Sequence, residues 1–375
     1  MTSEPIRHNE YVAAEVNAHL PEAQRARIHG EGLRALKALG QKGLSGRKIL
    51  LVGGAGYIGS VVTDHLLRRG YAVRCIDRLL YGNQSAVLPS LGSARYEFLY
   101  GDITDRRTIG LALEGITDVV LLAGLVGDPI TKKYPQQSAV INDQAVQQVI
   151  DSCQGLGLNK LIFISTCSNY GLASDNVLLD EDADLRPLSL YAKSKVAAEL
   201  KLLSLRDKVD YHPTILRFAT AFGLSPRMRF DLTISEFTRT MFRKEELLVF
   251  DPHTWRPYCH VQDFAEVIRR VLEAPVDDVR FEVFNAGGDV NNFTKQMIVE
   301  TIQASLPDSL VRYQTHGSDP RNYRVSFAKI RQRLFFEPTK TVRDGVSELI
   351  GALRLHLFDD VEARPNFFGN YEIAY

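Results

Sequence analysis

The sequence is sparing in several features, and each scarcity excludes something. Four cysteines occur in 375 residues (Cys75, Cys153, Cys167 and Cys259), with no C-x-x-C pair and no metal-ligand spacing. That excludes a disulfide framework or a thiolate metal centre and leaves reduced thiols as the expectation. Net charge is absent, with 45 basic residues against 45 acidic ones. Nothing therefore recommends a nucleic-acid partner or an anionic membrane. No apolar run approaches the ~20 residues that span a bilayer. The N-terminus also lacks the basic-then-apolar layout of a signal peptide, so a cytoplasmic location is expected. The histidines, His212 and His260 among them, lack ligand partners, and no metal is expected. Internal repeats and low-complexity tracts are missing too.

What is present is an ordinary globular balance, 45% apolar and 24% charged, long enough for one large α/β unit with a smaller appended lobe. The chain is organised around Lys48-Ile-Leu-Leu-Val-Gly-Gly-Ala-Gly-Tyr-Ile-Gly-Ser60. An apolar run, Ile49 to Val52, reads as a buried parallel strand. Apolar positions then resume at helical spacing through Ile58, Val61, Val62 and Leu66. Between them Gly53, Gly56 and Gly59 form G-x-x-G-x-x-G. The first glycine suits a tight turn, the second lets a pyrophosphate approach the backbone, and the third lets the helix pack on the strand. The new helix offers unpaired N–H groups to phosphates. An ordinary βα turn would look similar, but the following strand, 71–77, ends in a carboxylate, the context of a dinucleotide site.

From Lys48 onward, strands alternate with helical patterns, the signature of a doubly wound parallel sheet. Strands are expected at 48–53, 71–77, 95–100, 117–122, 160–165 and 211–217. Helices are expected at 57–69, 105–114, 135–156 and 189–206. The divisions that follow are an N-terminal helical extension, 1–46, a dinucleotide-binding domain, 47–223, and a mainly substrate-binding lobe, 224–375, with some segments returning to the first domain. Within the extension, 10–20 and 31–39 have helical character. It reads as a surface arm or as a cover for a partner subunit or the active-site mouth.

Asp77 stands 18 positions beyond Gly59, where it can grip both ribose hydroxyls. Its charge disfavours a 2′-phosphate, favouring NAD over NADP, although Arg78 beside it pulls the other way. Asp102 after the third strand either accepts the adenine amino group or is a solvated loop residue. Leu122-Ala123-Gly124 closes the fourth strand with small residues against which a cofactor can lie. Tyr57, Ile58 and Ile103 complete the cofactor wall. Tyr191 and Lys195, at i and i+4, share one helix face. An ammonium beside a phenol is expected to lower its pKa and make it an acid/base near neutrality. Upstream, the hydroxyl of Thr166 is placed to bond a sugar oxygen alongside Tyr191.

Taken in order, these pieces, with Asn142, Ser165–Gly171 and Arg256-Pro-Tyr-Cys-His-Val-Gln-Asp263, resemble an extended short-chain dehydrogenase/reductase. The group it resembles is the NAD-dependent epimerase/dehydratase family, which includes UDP-glucose 4-epimerase, and the likeness covers most of 48–340. The resemblance implies a Rossmann-type fold, bound NAD, a nucleotide-diphosphate sugar as substrate, and a Thr166–Tyr191–Lys195 triad. In it Tyr191 takes a hydroxyl proton while the nicotinamide accepts the hydride. Asn142 joins the implied cofactor set. A homodimer through 135–156 and 189–206 is implied as well.

Where family dehydratases resemble S-T-D-E-x-Y-G, this chain carries Cys167-Ser168. A serine hydroxyl is a poor general base, so elimination is disfavoured and epimerisation through a 4-keto sugar is the expected reaction. A 4-ketoreductase using NAD(P)H stoichiometrically and a non-catalytic dinucleotide sensor are the alternatives. Cys167 and Ser168 are substrate-contact candidates. So are Thr220, where the family often has Asn, and Arg227, Arg256 and Arg321, whose guanidinium forks match a diphosphate. The sole tryptophan, Trp255, reads as a stacking or a core residue.

Overall fold

A computed structural model describes residues 46–173, 177–317 and 319–373. The two helices expected within 1–46 lie outside the described residues.

Seven strands form one parallel sheet: β1 (Lys48–Val52), β2 (Ala72–Asp77), β3 (Tyr96–Tyr100), β4 (Asp118–Leu121), β5 (Lys160–Thr166), β6 (His212–Phe218) and β7 (Glu282–Ala286). Their spatial order is β7-β6-β5-β4-β1-β2-β3. The order reverses beside β1, and open α/β sheets bind ligands beyond strand ends at such a switch point. Six strands fall within one residue of their expected ends. The seventh was not foreseen, because Glu-Val-Phe-Asn-Ala offers little apolar signal. Its Asn285 is fully buried, accepting from Tyr170 Oη at 2.7 Å and donating to Ser326 O at 3.2 Å.

Successive residues of β1 point to opposite faces, and Ile49 to Val52 are all buried because both faces are covered. Leu50 and Val52 join a core shared with Ile109, Val146, Val149 and Leu202. These come from helices Arg106–Leu113, Val146–Ser152 and Leu190–Ser204. On the other face, helix α1 (Tyr57–Arg68) packs against helix α2 (Val261–Glu273). Lys160, at the start of β5, is 1% exposed and donates to Val271 O and Leu272 O at 2.8 Å, closing the C-terminal end of α2. The long helix expected at 135–156 is interrupted at Ala139–Ala145 by a π-helical segment. Its i→i+5 bonding re-aims side chains, and such segments recur at functional sites.

The remaining chain builds a smaller lobe. A three-stranded sheet (Thr220–Phe222, Trp255–His260, Asn292–Thr294), helices Thr233–Phe242, Lys295–Gln303 and Val342–Arg354, and the strand Leu247–Phe250 share a core of Phe222, Ile234, Val249, Tyr258, Ile298 and Val346. His260, given no chemical role from sequence, caps α2 through Nδ1 and meets Glu348 at 3.0 Å.

Candidate active site

One cleft of about 450 Å³ runs from the glycine turn, across the C-terminal ends of β4 and β5, to the arginines of the smaller lobe. At its near end Gly53 has φ +86°, and its N–H donates to Ile76 O at 2.8 Å. A Cβ on Gly59 would lie 2.5 Å from Gly53 O, so this glycine is demanded by packing. A Cβ on Gly56 would meet nothing nearer than 3.6 Å. The space beside Gly56 is therefore open, and α1 starts there without a side-chain cap. Its first-turn amides are available to an anion.

Asp77 sits half-buried at the end of β2. Its Oδ2 accepts from Ala55 N at 3.0 Å and its Oδ1 from Leu79 N at 2.8 Å. Burial pushes its pKa up, against the two backbone bonds and the Arg227 charge. Each oxygen keeps lone pairs for a ribose diol. Arg78 and Asp102 pair at 2.5 Å, so the charge that pulls against Asp77 is balanced by Asp102. Tyr57, Ile58, Ile103 and Leu122–Gly124 all line the cleft. Tyr57 also donates to Gly223 O at 2.6 Å, tying α1 to the start of the smaller lobe. Asn142 is different. Its Oδ1 accepts from Leu125 N at 2.7 Å and its Nδ2 donates to Leu125 O at 3.0 Å. It fastens the loop after β4 and is not part of the cleft wall.

Thr166, Tyr191 and Lys195 meet on that wall. Thr166 ends β5 and accepts from Ser168 N at 3.1 Å. Tyr191 enters on helix Leu190–Ser204, which Ser189 caps by accepting from Ala192 N. Lys195 Nζ lies 5.9 Å from the Tyr191 ring centre and 4.7 Å from that of Phe163, and donates to Ile164 O at 2.7 Å. The expected lowering of the Tyr191 pKa is not found. Burial pushes it up, outweighing the favourable charges of Arg229 and Arg321, and Asp128 adds to the rise. Burial also lowers Lys195 to about 8, against the pull of Glu199.

Behind the triad lies a buried polar cluster. Glu199, 1% exposed, accepts from Asn169 Nδ2 at 2.8 Å and Arg217 Nη2 at 2.8 Å, and also binds Ser165 Oγ. Arg217 Nη1 reaches Tyr170 Oη at 3.0 Å. Cys167 sits in this layer. It is 1% exposed, bonded to Arg217 O at 3.2 Å, raised in pKa by burial, and absent from the cleft wall. In this structure it packs as a buried thiol. Ser168 does face the cleft, accepting from Arg321 Nη1 at 3.2 Å.

At the far end Arg256 and Arg321 come together around Asp319, with Arg256 Nη2 at 3.1 Å and Arg321 Nη2 at 2.8 Å from Oδ2. Arg321 also meets Asp128 at 3.2 Å. Arg227 sits apart from them. It lies 4.7 Å from the Tyr81 ring centre, donates to Gly369 O at 2.9 Å, and burial lowers it to about 10. Thr220 lines the cleft between the two groups. Trp255 is not on the wall; the Arg324 guanidinium lies 5.1 Å from its ring centre.

Sequence reading missed Asp128, Arg229, Asp231, Asp319, Asn370 and Tyr371, all on the cleft wall. Arg227-Met-Arg-Phe-Asp231 alternates charge with apolar residues, a pattern that hints at one lined face. Asp128 opens the short helix Asp128–Lys133, while Asp319, Asn370 and Tyr371 stand in loops, and none of them carries a periodic signal. Among the described residues no His, Cys, Asp and Glu group has the makings of a metal site.

A family model, the NAD-dependent epimerase/dehydratase family, matches residues 49–287. A UDP-glucose 4-epimerase of Corynebacterium glutamicum is 27% identical over 312 residues, covering 78% of this chain and 92% of that protein. A dTDP-glucose 4,6-dehydratase of Streptomyces niveus is 26% identical, covering 81% and 91%. The crystal structure of a Bacillus cereus UDP-glucuronic acid 4-epimerase, in complex with UDP-glucuronic acid and NAD, superposes with a TM-score of 0.75. It is 25% identical and covers 82% of this chain and 99% of that one. With a sheet of this order and a glycine turn opening on its switch point, the chain belongs to the NAD-dependent epimerase/dehydratase family.

Proposed function

We propose that this protein is an NAD-dependent epimerase of nucleotide-diphosphate sugars that works through a transient 4-keto sugar. The observation that supports this most is that Thr166, Tyr191 and Lys195 share one cleft with the glycine turn and with Arg256 and Arg321. The residues fit a dinucleotide: Gly56 leaves room where a Cβ would intrude, and Asp77 presents a carboxylate for a ribose. When bound, NAD would supply a reversible acceptor for the hydrogen on the sugar's C4. Tyr191 takes the proton from the C4 hydroxyl as the ketone forms and gives it back when the sugar presents its other face. Thr166 holds the same oxygen, and Lys195 holds the cofactor's ribose and adds positive charge beside the phenol. Because burial opposes ionisation of Tyr191, the site needs further positive charge to use it as a base.

Epimerisation is favoured over elimination by the carboxylates at the sugar end. Asp128 pairs with Arg321, Asp231 with Arg229, and Asp319 with Arg256 and Arg321. For Asp231 and Asp319 the guanidinium partners hold the carboxyl below its usual range, leaving a weak base for a C5 proton. The smaller lobe, mainly 224–375, provides the nucleotide-sugar contacts. A cytoplasmic homodimer is consistent with four buried free cysteines and with Val140, Leu190 and Leu200 standing exposed on the helices at 139–152 and 190–204. The test is incubation with UDP-glucose, UDP-glucuronic acid and UDP-N-acetylglucosamine without added nicotinamide, followed by NMR. Interconversion of C4 epimers supports the proposal. Turnover only with stoichiometric NAD(P)H would make it a ketoreductase, and bound NAD without turnover would make it a sensor.

A further inference from the structure

We propose that the C-terminal strap, residues 364–373, belongs to the substrate site, where Asn370 Oδ1 accepts a hydrogen bond from a hydroxyl of the bound sugar. The proposal rests on the reading that the cleft takes a nucleotide sugar.

The strap lies beyond the family match, which ends at 287, yet it returns to the cleft. Phe367 and Phe368 are buried with Phe230 and Met228, and Phe230 N donates to Phe368 O at 2.7 Å. Arg227 donates to Gly369 O and Asn370 N donates to Asp231 Oδ2 at 3.2 Å. Beyond the cleft, Lys133 meets Glu372 at 3.0 Å. The strap is thus fastened on both sides of the opening.

Asn370 is 7% exposed and lines the cleft. Its Nδ2 donates to Val126 O at 2.9 Å, and this fixes the orientation of the amide. The other end, Oδ1, is buried without a hydrogen-bond partner. A buried acceptor left unsatisfied is costly, and native structures rarely keep one without a use. Asp128, two residues beyond the backbone group that Asn370 holds, presents a second such atom, Oδ1. Buried acceptors without donors suit hydroxyl groups and repel phosphate oxygens, which are themselves acceptors. Asp128 also acts electrostatically on Tyr191, which places this loop near the reacting end of the cleft. The family triad explains none of these contacts.

The test compares NAD-loaded wild type with Asn370→Ala, using UDP-glucose and UDP-glucuronic acid as probes. Asn370→Ala is expected to raise KM about tenfold for the accepted sugar nucleotide while leaving NAD affinity and the melting temperature near wild type. Hydrogen exchange on wild type is the second measurement, independent of whether the variant folds. The sugar nucleotide, but not NAD alone, is expected to slow exchange across 367–371. An unchanged KM, a loss confined to NAD affinity, or strap amides indifferent to the sugar nucleotide would each overturn the proposal. If wild type binds neither sugar nucleotide, the functional reading falls and takes the proposal with it. If wild type binds one and Asn370→Ala binds it equally, only the strap assignment falls.

Discussion

Gly56 and Gly59 stand three residues apart in one motif, but the structure gives them separable tasks. An alanine at 59 would put its methyl carbon 2.5 Å from Gly53 O and 2.7 Å from Gly54 Cα. Both are backbone atoms, so the turn itself must open by several tenths of an ångström. Overpacking of this kind costs roughly 1–3 kcal/mol, or a drop of several degrees in Tm at ~2–4 °C per kcal/mol. An alanine at 56 meets no atom within 3.6 Å and inherits φ −77°, ψ −175°, ordinary extended backbone. Losing glycine at a helix cap costs a few tenths of a kcal/mol up to about 1, and the stiffer unfolded chain returns about 0.4–1. Gly56→Ala should therefore melt within about 2 °C of wild type without cofactor. Its methyl stands where a pyrophosphate approaches, and NAD affinity should fall about a hundredfold, ~2.7 kcal/mol. Thermal unfolding with and without NAD, alongside calorimetric titration, separates the effects. Wild type and Gly56→Ala should coincide without NAD and diverge with it, while Gly59→Ala starts low. Full NAD affinity in Gly56→Ala, or an unshifted melt in Gly59→Ala, would refute the division of labour.

Three further outcomes follow from the same geometry. Asp77→Asn should narrow the preference for NAD over NADP about tenfold by removing the charge that repels a 2′-phosphate; unchanged discrimination in paired titrations would remove that role. Glu199→Gln strips the counter-charge from Arg217, 4% exposed, and should cost ~3–5 kcal/mol in urea unfolding. Restoring balance with Arg217→Met should recover part of the loss, and strict additivity of the two changes would contradict the pairing. Lys195 is lowered to about 8 by burial, from 10.5. The folded chain thus releases this proton before the unfolded chain does, and the contribution of Lys195 to stability rises with pH between those values. The stability difference between wild type and Lys195→Met should grow in favour of wild type from pH 8 to 10.5, and a flat difference would refute the shift.

Much of the fold was legible because its signals are local. Six strands and four helices show as apolar runs and helical spacings, and the glycine triplet marks the switch point before any coordinate is known. The seventh strand carries two polar residues in five, Glu282 and Asn285, and only its pairing with β6 makes it a strand. The π-helical segment leaves the apolar pattern of its helix intact, so nothing in the spacing betrays it. At the site, Tyr191 and Lys195 were placed by their i, i+4 relation, but the direction of the Tyr191 pKa was misjudged. Proximity to an ammonium can be read from spacing; the depth of burial that opposes it cannot. Asp128 opens a short helix while Asp231 and Asp319 stand in separate loops, and their pairing with arginines exists only after folding. The bonds by which Asn142 fastens the loop after β4, and the packing of Cys167 behind β5, likewise exist only in the folded chain.

The proposed reaction turns on the phenol of Tyr191 moving a substrate proton in a cleft that also holds the glycine turn. The most direct measurement is turnover by Tyr191→Phe on whichever sugar nucleotide wild type accepts, with NAD binding followed in the same samples. Loss of the proton carrier should cut kcat by about 10²–10⁴, while NAD affinity stays at the wild-type value. Undiminished kcat in a Tyr191→Phe protein that binds NAD normally would contradict the assignment on which the mechanism stands.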